Sequence, residues 1–415
     1  MSGIQSGGVL SGLRIIELSA FVAAPLGGAT LAELGAEVVR VDPPGGGMDA
    51  KRWPLHDGES LYWAGLNNGK KSVTIDTAAA AGQRLVTDLI AEAGTVLTNL
   101  QPKGWNSYEA LKVRRPDLIM AVLTGNPDGS SAVDYTVNAA VGFPFVTGPE
   151  RLEGPIDHVL PAWDALAGYM LATGIVTAEL YRTRTGSGQC ITLSLMDVAL
   201  SITSHLGLVG EAQLEESPRP RLGNYLYGSY ACDFKTRDGR YLIAVALTAG
   251  QWARLVSATG SQQQVHELEV RNGIDLREEG ARFQYREEIS GFLRMWIGSR
   301  TYDEVREAFD RCQVLWGPYQ TFKELVAHDS RCSEANQMFK EIHQPGLGRY
   351  LRATSPLQFS DTEREPPKPA PLMGEDTREV LDSWLGLGGD EVDALVAAGV
   401  VAGRERGQAP LGPKH

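Results

Sequence analysis

Cysteine is scarce in this chain, four among 415 residues. Cys190, Cys232, Cys312 and Cys332 stand far apart and match no C-x-x-C or zinc-binding spacing. The seven histidines form no His-x-x-x-His or HExxH pattern. No metal site is therefore expected, and the free thiols suit a reduced, cytoplasmic protein. No uncharged apolar run reaches the roughly 18–20 residues that a membrane span needs. The best stretch, 135–149, is interrupted by Gly, Pro and polar residues, so no membrane partner is expected. The Gly/Ser-rich opening, residues 1–8, has no basic segment and does not read as a signal peptide. Positive charge is in deficit, with 39 Lys and Arg against 51 Asp and Glu, a net charge of −12. That argues against nucleic acid, which needs a dominant basic surface. An anionic ligand would need a local basic pocket.

Hydrophobic residues make up 43% and charged residues 22% of the sequence. These ordinary values exclude global disorder and coiled coil. At ~150 residues per domain, the length suggests two or three domains. The first 200 residues alternate β-branched runs with helical patterns. Strands are expected at 13–18, 37–42, 72–76, 95–100, 118–124 and 189–194, and helices at 24–35, 82–93 and 165–181. This βαβ rhythm predicts an open, mostly parallel sheet covered by helices. Near residue 218 the pattern shifts to a β-rich stretch (230–247) and amphipathic helices at 282–297 and 302–311. A Pro-rich run at 366–371 leads to helices at 377–385 and 390–398. The extreme tail, 404–415, reads as disordered. The division expected is 1–217 for the first part of a large domain, 218–325 for a small one and 326–403 for a return to the large one.

A βαβ start invites a dinucleotide reading, and Asp42 stands where a ribose-binding acid would. The turn after the first strand, Ser19-Ala20-Phe21-Val22-Ala23-Ala24-Pro25, lacks the glycines that let a pyrophosphate approach a helix N-terminus. Residues 65–72 (GLNNGKKS) do not give the Gly-x4-Gly-Lys-Ser/Thr spacing of a P-loop. They read as a surface turn with two solvated lysines or, more sharply, as a turn whose Lys70 and Lys71 meet ligand phosphates. No G-x-S-x-G elbow is present.

Several stretches taken in order are similar to the family III CoA-transferases, the group of formyl-CoA transferase, carnitine CoA-transferase and α-methylacyl-CoA racemase. The opening LSGLRIIELSAFVAAPLGGATLAELGAEVVRVDPPGGGMDAKRW resembles the family's G-L-x-V-L-E-L … A-G-P … L-A-D-L-G-A-x-V-I-K-V-E … G-G-D-x-x-R. NNGKKSVTID (67–76), RTRTGSGQCITLSLMD (182–197) and the segment 370–400 resemble its later motifs. The resemblance covers nearly the whole chain. It implies a Rossmann-like large domain built from both chain ends, a smaller inserted α+β domain and an interlocked homodimer. It implies an acyl-CoA substrate, with coenzyme A as a substrate moiety and no tightly bound cofactor. Within the family, segments 125–148 and 158–168 resemble an intramolecular subgroup that moves CoA between the C1 and C4 carboxyls of the C5 diacid mesaconate. The alternatives are an intermolecular CoA transferase for a short dicarboxylic acid and a non-catalytic CoA-binding paralogue.

Such chemistry needs a carboxylate that attacks a thioester, giving a mixed anhydride and then an aspartyl-CoA thioester. Asp164 is the candidate catalytic residue. It lies just before the apolar helical pattern starting near 165, where free helix N–H groups would hold it ionised and assist an oxyanion. An Asp there is commonly just an N-cap. The match to the family's catalytic Asp favours the nucleophile, and it counts against the paralogue. Asp134 is the nearest rival. The family's racemases carry a His directly before the equivalent Asp, and here that neighbour is Val133, which cannot move a proton. A glycine-rich loop of the intermolecular members is replaced by Gly223–Asp233 (GNYLYGSYACD), whose Tyr225, Tyr227 and Tyr230 either pack at a strand start or cover the site. Candidates for CoA contact are Phe21, Val22, Arg40, Lys70, Lys71, Asn99 and Lys103. The family's Arg after its N-[FY] pair is Gln101. Arg52, Asp134 and His158 are candidates for binding the substrate, with Arg52 and His158 pairing with its free carboxylate.

Overall fold

The computed structural model describes residues 8–403; the expected disorder of 404–415 lies outside them. Five short runs rich in Val, Ile and Leu form strands that are almost wholly buried: β1 (Arg14–Leu18), β2 (Glu37–Asp42), β3 (Lys71–Ile75), β4 (Thr95–Thr98) and β5 (Ile119–Thr124). Continuous apolar strands are what a parallel sheet covered on both faces requires. A sixth strand, β6 (Cys190–Ser194), is more exposed. Helices α1 (Ala23–Glu33), α2 (Leu61–Asn67), α3 (Ala80–Ala93), α4 (Asp134–Ala140) and α5 (Ala162–Thr185) intervene.

The strands lie in the order β3-β2-β1-β4-β5-β6, all parallel, with Val401–Ala402 added antiparallel at the β3 edge. The chain winds outward from β1 to β3, then returns to the other side of β1 with β4. Ile16 consequently pairs with Val39 on one side and Val96 on the other. This is the doubly wound order, and the crevice beyond the carboxyl ends of β1 and β4 is its switch point, where such sheets bind ligands.

The C-terminal segment completes this layer. Asp376 accepts the Ser72 amide at 2.8 Å, and Thr377 accepts the Thr74 amide at 3.1 Å. Val380, Leu381, Trp384, Val400 and Val401 join the core beneath the central strands. The chain divides into two compact units: residues up to 141, 159–210 and from 330 onward, and residues 142–158 and 211–329. The second unit contains a three-stranded antiparallel sheet, β7 (Tyr230–Lys235), β8 (Tyr241–Ala246) and β9 (Leu315–Pro318), with β8 central. Its own core includes Tyr230, Phe234, Trp252, Leu293 and Phe309.

Most expected boundaries shift by one to four residues, and helices Tyr302–Arg311 and Thr377–Leu385 fall where expected. The single helix expected over 282–297 is instead two, Glu279–Gln284 and Arg286–Gly298. They break at Tyr285, whose φ of −100° and ψ of 20° leave the helical region.

Candidate active site

The β1–α1 turn lies at the switch point. Phe21 adopts φ +67°, a left-handed conformation that L side chains rarely take and that a glycine would adopt without strain. Two neighbours hold it there. Asn99, just past β4, accepts the Ala20 amide at 2.9 Å and donates to the Ala20 carbonyl at 2.7 Å. Asp49 accepts the Phe21 amide at 3.1 Å. Asn99 is therefore engaged with the backbone of this turn at both ends of its amide group.

Behind the turn is a buried charge network. Arg40 donates to Asp42 at 2.9 Å and to Asp49 at 2.8 Å. The Lys70 ammonium meets Glu17 at 2.9 Å, Asn67 at 3.0 Å and the Pro25 carbonyl at 2.8 Å. Burial pulls the Lys70 ammonium down to about 8, against the pull of Glu17. A Cβ on Gly28 of α1 would stand 1.7 Å from a Glu17 carboxylate oxygen, so only glycine lets the helix lie over these charges. Arg40 and Lys70, expected at CoA phosphates, thus point into the interior, with both side chains 1% exposed or less. The solvated-lysine reading fails for Lys70 for the same reason. Lys71 is paired with Glu37 at 2.8 Å and with Glu379 at 3.0 Å. Val22 is half-buried at the start of α1, and Lys103 is exposed.

In front of the turn stands Arg52. Its guanidinium lies over the Phe21 ring at 5.3 Å and over the Tyr62 ring at 5.1 Å. It forms no ion pair among the described residues. Tyr62 belongs to α2, which Ser60 caps by accepting the Trp63 amide at 3.0 Å. The Tyr62 hydroxyl is buried and has no hydrogen-bond partner among the described residues. Burial pushes it up to about 12, with Arg52 opposing and the charges of Asp164 and Asp49 adding. It is therefore a neutral donor at physiological pH. Sequence reasoning missed this residue, since a seven-residue helix is too short for a periodic signal. The one local sign is the Ser cap two residues before it.

Asp164 sits in the first turn of α5, which begins at Ala162, earlier than expected. It is not the cap. Asp134 takes that role from 30 residues upstream: its Oδ2 accepts the amides of Trp163 at 2.8 Å and Asp164 at 3.0 Å. The expectation that free N–H groups hold Asp164 ionised is corrected accordingly. Two of those amides are occupied, and burial followed by the Asp134 charge pushes the Asp164 carboxyl up to about 6, against the pull of Arg52. The helix is seated by close packing on α1, where a Cβ on Gly168 would lie 2.8 Å from the Ala23 carbonyl oxygen.

Phe21, Asp49, Arg52, Tyr62, Asp134 and Asp164 are thereby assembled from four separate stretches of the first unit. His158 belongs to the second unit and is half-buried. So do the three tyrosines. Tyr230 is buried and bonded to Ser290 at 2.9 Å, Tyr225 donates to Glu287 at 2.9 Å, and Tyr227 lies under the Arg219 guanidinium at 4.1 Å. Among the described residues no His, Cys, Asp and Glu cluster has the arrangement of a metal site, and no helix is long and apolar enough to cross a membrane.

A desolvated carboxylate, titrating near 6 beside a guanidinium and a phenol donor, is equipped to attack an acyl carbon. The comparisons with known proteins point to the same chemistry. Residues 10–377 match the model of CoA-transferase family III, and the chain belongs to that family. It is 49% identical over 405 residues to 2-methylfumaryl-CoA isomerase of Chloroflexus aurantiacus, covering 96% of this chain and 99% of that one. It is 29% identical to the succinyl-CoA–D-citramalate CoA-transferase of the same organism, over 94% and 98% of the two chains. The crystal structure of a CAIB/BAIF family protein from Brucella suis shares the fold, with a TM-score of 0.75 over 91% of this chain and all of that one, at 24% identity.

Proposed function

We propose that this protein is an intramolecular CoA transferase that moves CoA between the C1 and C4 carboxyls of mesaconate, converting 2-methylfumaryl-CoA to 3-methylfumaryl-CoA. The observation that carries the reading is the Asp164 carboxyl within electrostatic reach of the Arg52 guanidinium, which forms no ion pair among the described residues. The full-length likeness to a 2-methylfumaryl-CoA isomerase supports the substrate.

Asp164 attacks the thioester carbonyl. Its oxygen bonds to the acyl carbon, the C–S bond breaks, and the electron pair leaves on the CoA sulfur as thiolate. The product is a mixed anhydride. The thiolate then attacks the Asp164 carbonyl, which frees mesaconate and forms an aspartyl-CoA thioester. Mesaconate presents its other carboxylate, and the steps run in reverse. Arg52 and the Tyr62 hydroxyl bind whichever substrate carboxylate is free, through a charge-assisted contact and a neutral donor. The Arg52 guanidinium already lies over two rings, so less side-chain entropy is lost on binding. Asn99 and Asp49 position the Phe21 turn. Among the residues expected at CoA, Phe21, Val22 and Lys103 remain candidates for its contact. The first unit carries the CoA-binding role in this reading.

A homodimer is part of the proposal. Leu166, Tyr169, Met170, Val176, Leu180 and Tyr181 of α5 recur at helical spacing and are 36–57% exposed, a stripe that a second copy would cover.

The test is isotope exchange. Unlabelled C1-CoA ester is turned over in the presence of labelled free mesaconate. Mesaconate held beside its own aspartyl thioester behaves as a tethered partner, with an effective concentration of ~10⁵ M or more. Label should therefore enter the product far more slowly than turnover. Label appearing at the turnover rate would make the enzyme an intermolecular transferase.

A further inference from the structure

Asp134 does more than a helix cap needs. Its side chain is 2% exposed. One oxygen, Oδ2, accepts both the Trp163 and Asp164 amides. The other, Oδ1, is buried with no hydrogen-bond partner among the described residues. A Ser, Thr or Asn would supply the accepting oxygen without burying a second, unpartnered carboxylate oxygen. The surplus oxygen belongs to the carboxylate that occupies the start of the helix carrying Asp164. An anion there is favoured by the helix dipole.

We propose that Asp134 is a positioning residue for acyl transfer: one oxygen fixes the first turn of α5 and so the place of Asp164, while the carboxylate as a whole holds a like charge against Asp164 that acylation relieves. This rests on Asp164 being the nucleophile. In the first step, the Asp164 oxygen bonds to the acyl carbon while the C–S bond breaks towards sulfur, and no proton moves. The negative charge passes from Asp164 to the CoA sulfur. A neutral anhydride then faces Asp134 where two anions stood before, so the repulsion favours the acylated side of the step. The other groups facing Asp164 act differently. The Arg52 guanidinium opposes the repulsion without cancelling it, and the Tyr62 hydroxyl is neutral in the working pH range. Asp49 and Tyr135 act on the Tyr62 side of the cluster. That Asp164 titrates near 6, with burial first and Asp134 second among the causes, agrees with this geometry.

The test compares Asp134→Asn and Asp134→Ala with the unaltered enzyme. Asn keeps an acceptor for the two amides and removes the charge. Its acid limb of kcat/KM should move down by about one pH unit from near 6. Trapping of the Asp164 acyl adduct with hydroxylamine at pH 8 should slow about three- to tenfold, because a less basic nucleophile reacts more slowly. KM should stay within about twofold. Ala should move the limb the same way and also lower the melting temperature, through loss of the cap. An Asn variant with an unmoved acid limb and adduct formation at the unaltered rate would overturn the inference. If neither variant folds, the unaltered enzyme still tests the inference, since an acid limb near pH 4 would overturn it. Absence of any adduct on Asp164 in the unaltered enzyme would instead bring down the nucleophile assignment, and this inference with it.

Discussion

Replacing Asp164 by Asn should make the protein more stable while abolishing its activity. The carboxyl is raised from 3.8 to about 6 because burial, and then the Asp134 charge, disfavour its anion in the folded state. A carboxyl raised on folding binds its proton more tightly in the native state than in the unfolded one. Native stability therefore falls as pH rises through the interval between the two values, and stays lower above it. At about 1.4 kcal/mol per pH unit, the rise sets an upper bound of about 3 kcal/mol. The side chain is partly open to water, which lowers the expected figure to about 2 kcal/mol. Asn has nearly the same shape and no charge to bury, so Asp164→Asn should recover that amount at pH 7.5. For a unit of this size it corresponds to about 3 °C in melting temperature. The gain should shrink below pH 6 and vanish below about pH 4, where the Asp164 carboxyl is protonated in both states. Thermal unfolding of both proteins across pH 4–8, beside a turnover assay, measures this directly. A variant no more stable at pH 7.5, or a difference independent of pH, would refute the reasoning, and full activity would remove Asp164 from the mechanism.

Arg52→Ala should lower kcat/KM by about 10- to 100-fold, mainly through KM, as expected when one charge-assisted contact is lost; removing this cation should also push Asp164 further up, moving the acid limb above 6 in a pH–rate profile. Asn99→Ala unties the Ala20 backbone from β4 and should cost about 1–3 kcal/mol in denaturant unfolding, with a further loss of turnover from the released Phe21 turn. Gly168→Val should destabilise by about 1–3 kcal/mol or more, since its Cβ would press on the Ala23 carbonyl and force α5 off α1; a melting temperature equal to that of the unaltered protein would contradict the packing described.

Much of the fold is legible along the chain because its determinants are local. Buried parallel strands require continuous Val, Ile and Leu runs, and the runs at 13–18, 37–42 and 118–124 announce themselves. Their alternation with amphipathic helices implies a mostly parallel α/β sheet, and the ordered motifs imply the CoA-transferase family. Asp164 is likewise visible as a carboxylate at the start of an apolar helical pattern. What lies around it is not visible, because the partners come from stretches dozens of residues away. The sequence places Arg40 and Lys70 near a ligand-binding turn, but only the packing of α1 over Glu17 turns their charges inward. Asp134 and Asp164 become neighbours because the start of α4 meets the start of α5, which takes away the free amides that local reasoning had assigned to Asp164. Arg52 finds Phe21 and Tyr62 because the turn after β1 forces Phe21 into the left-handed region, held there by Asn99 and Asp49. Local sequence determines which residues can be strand, helix or nucleophile. Which charges are buried against each other, and so where the carboxyl titrates, depends on desolvation and long-range contact that exist only once the chain is folded.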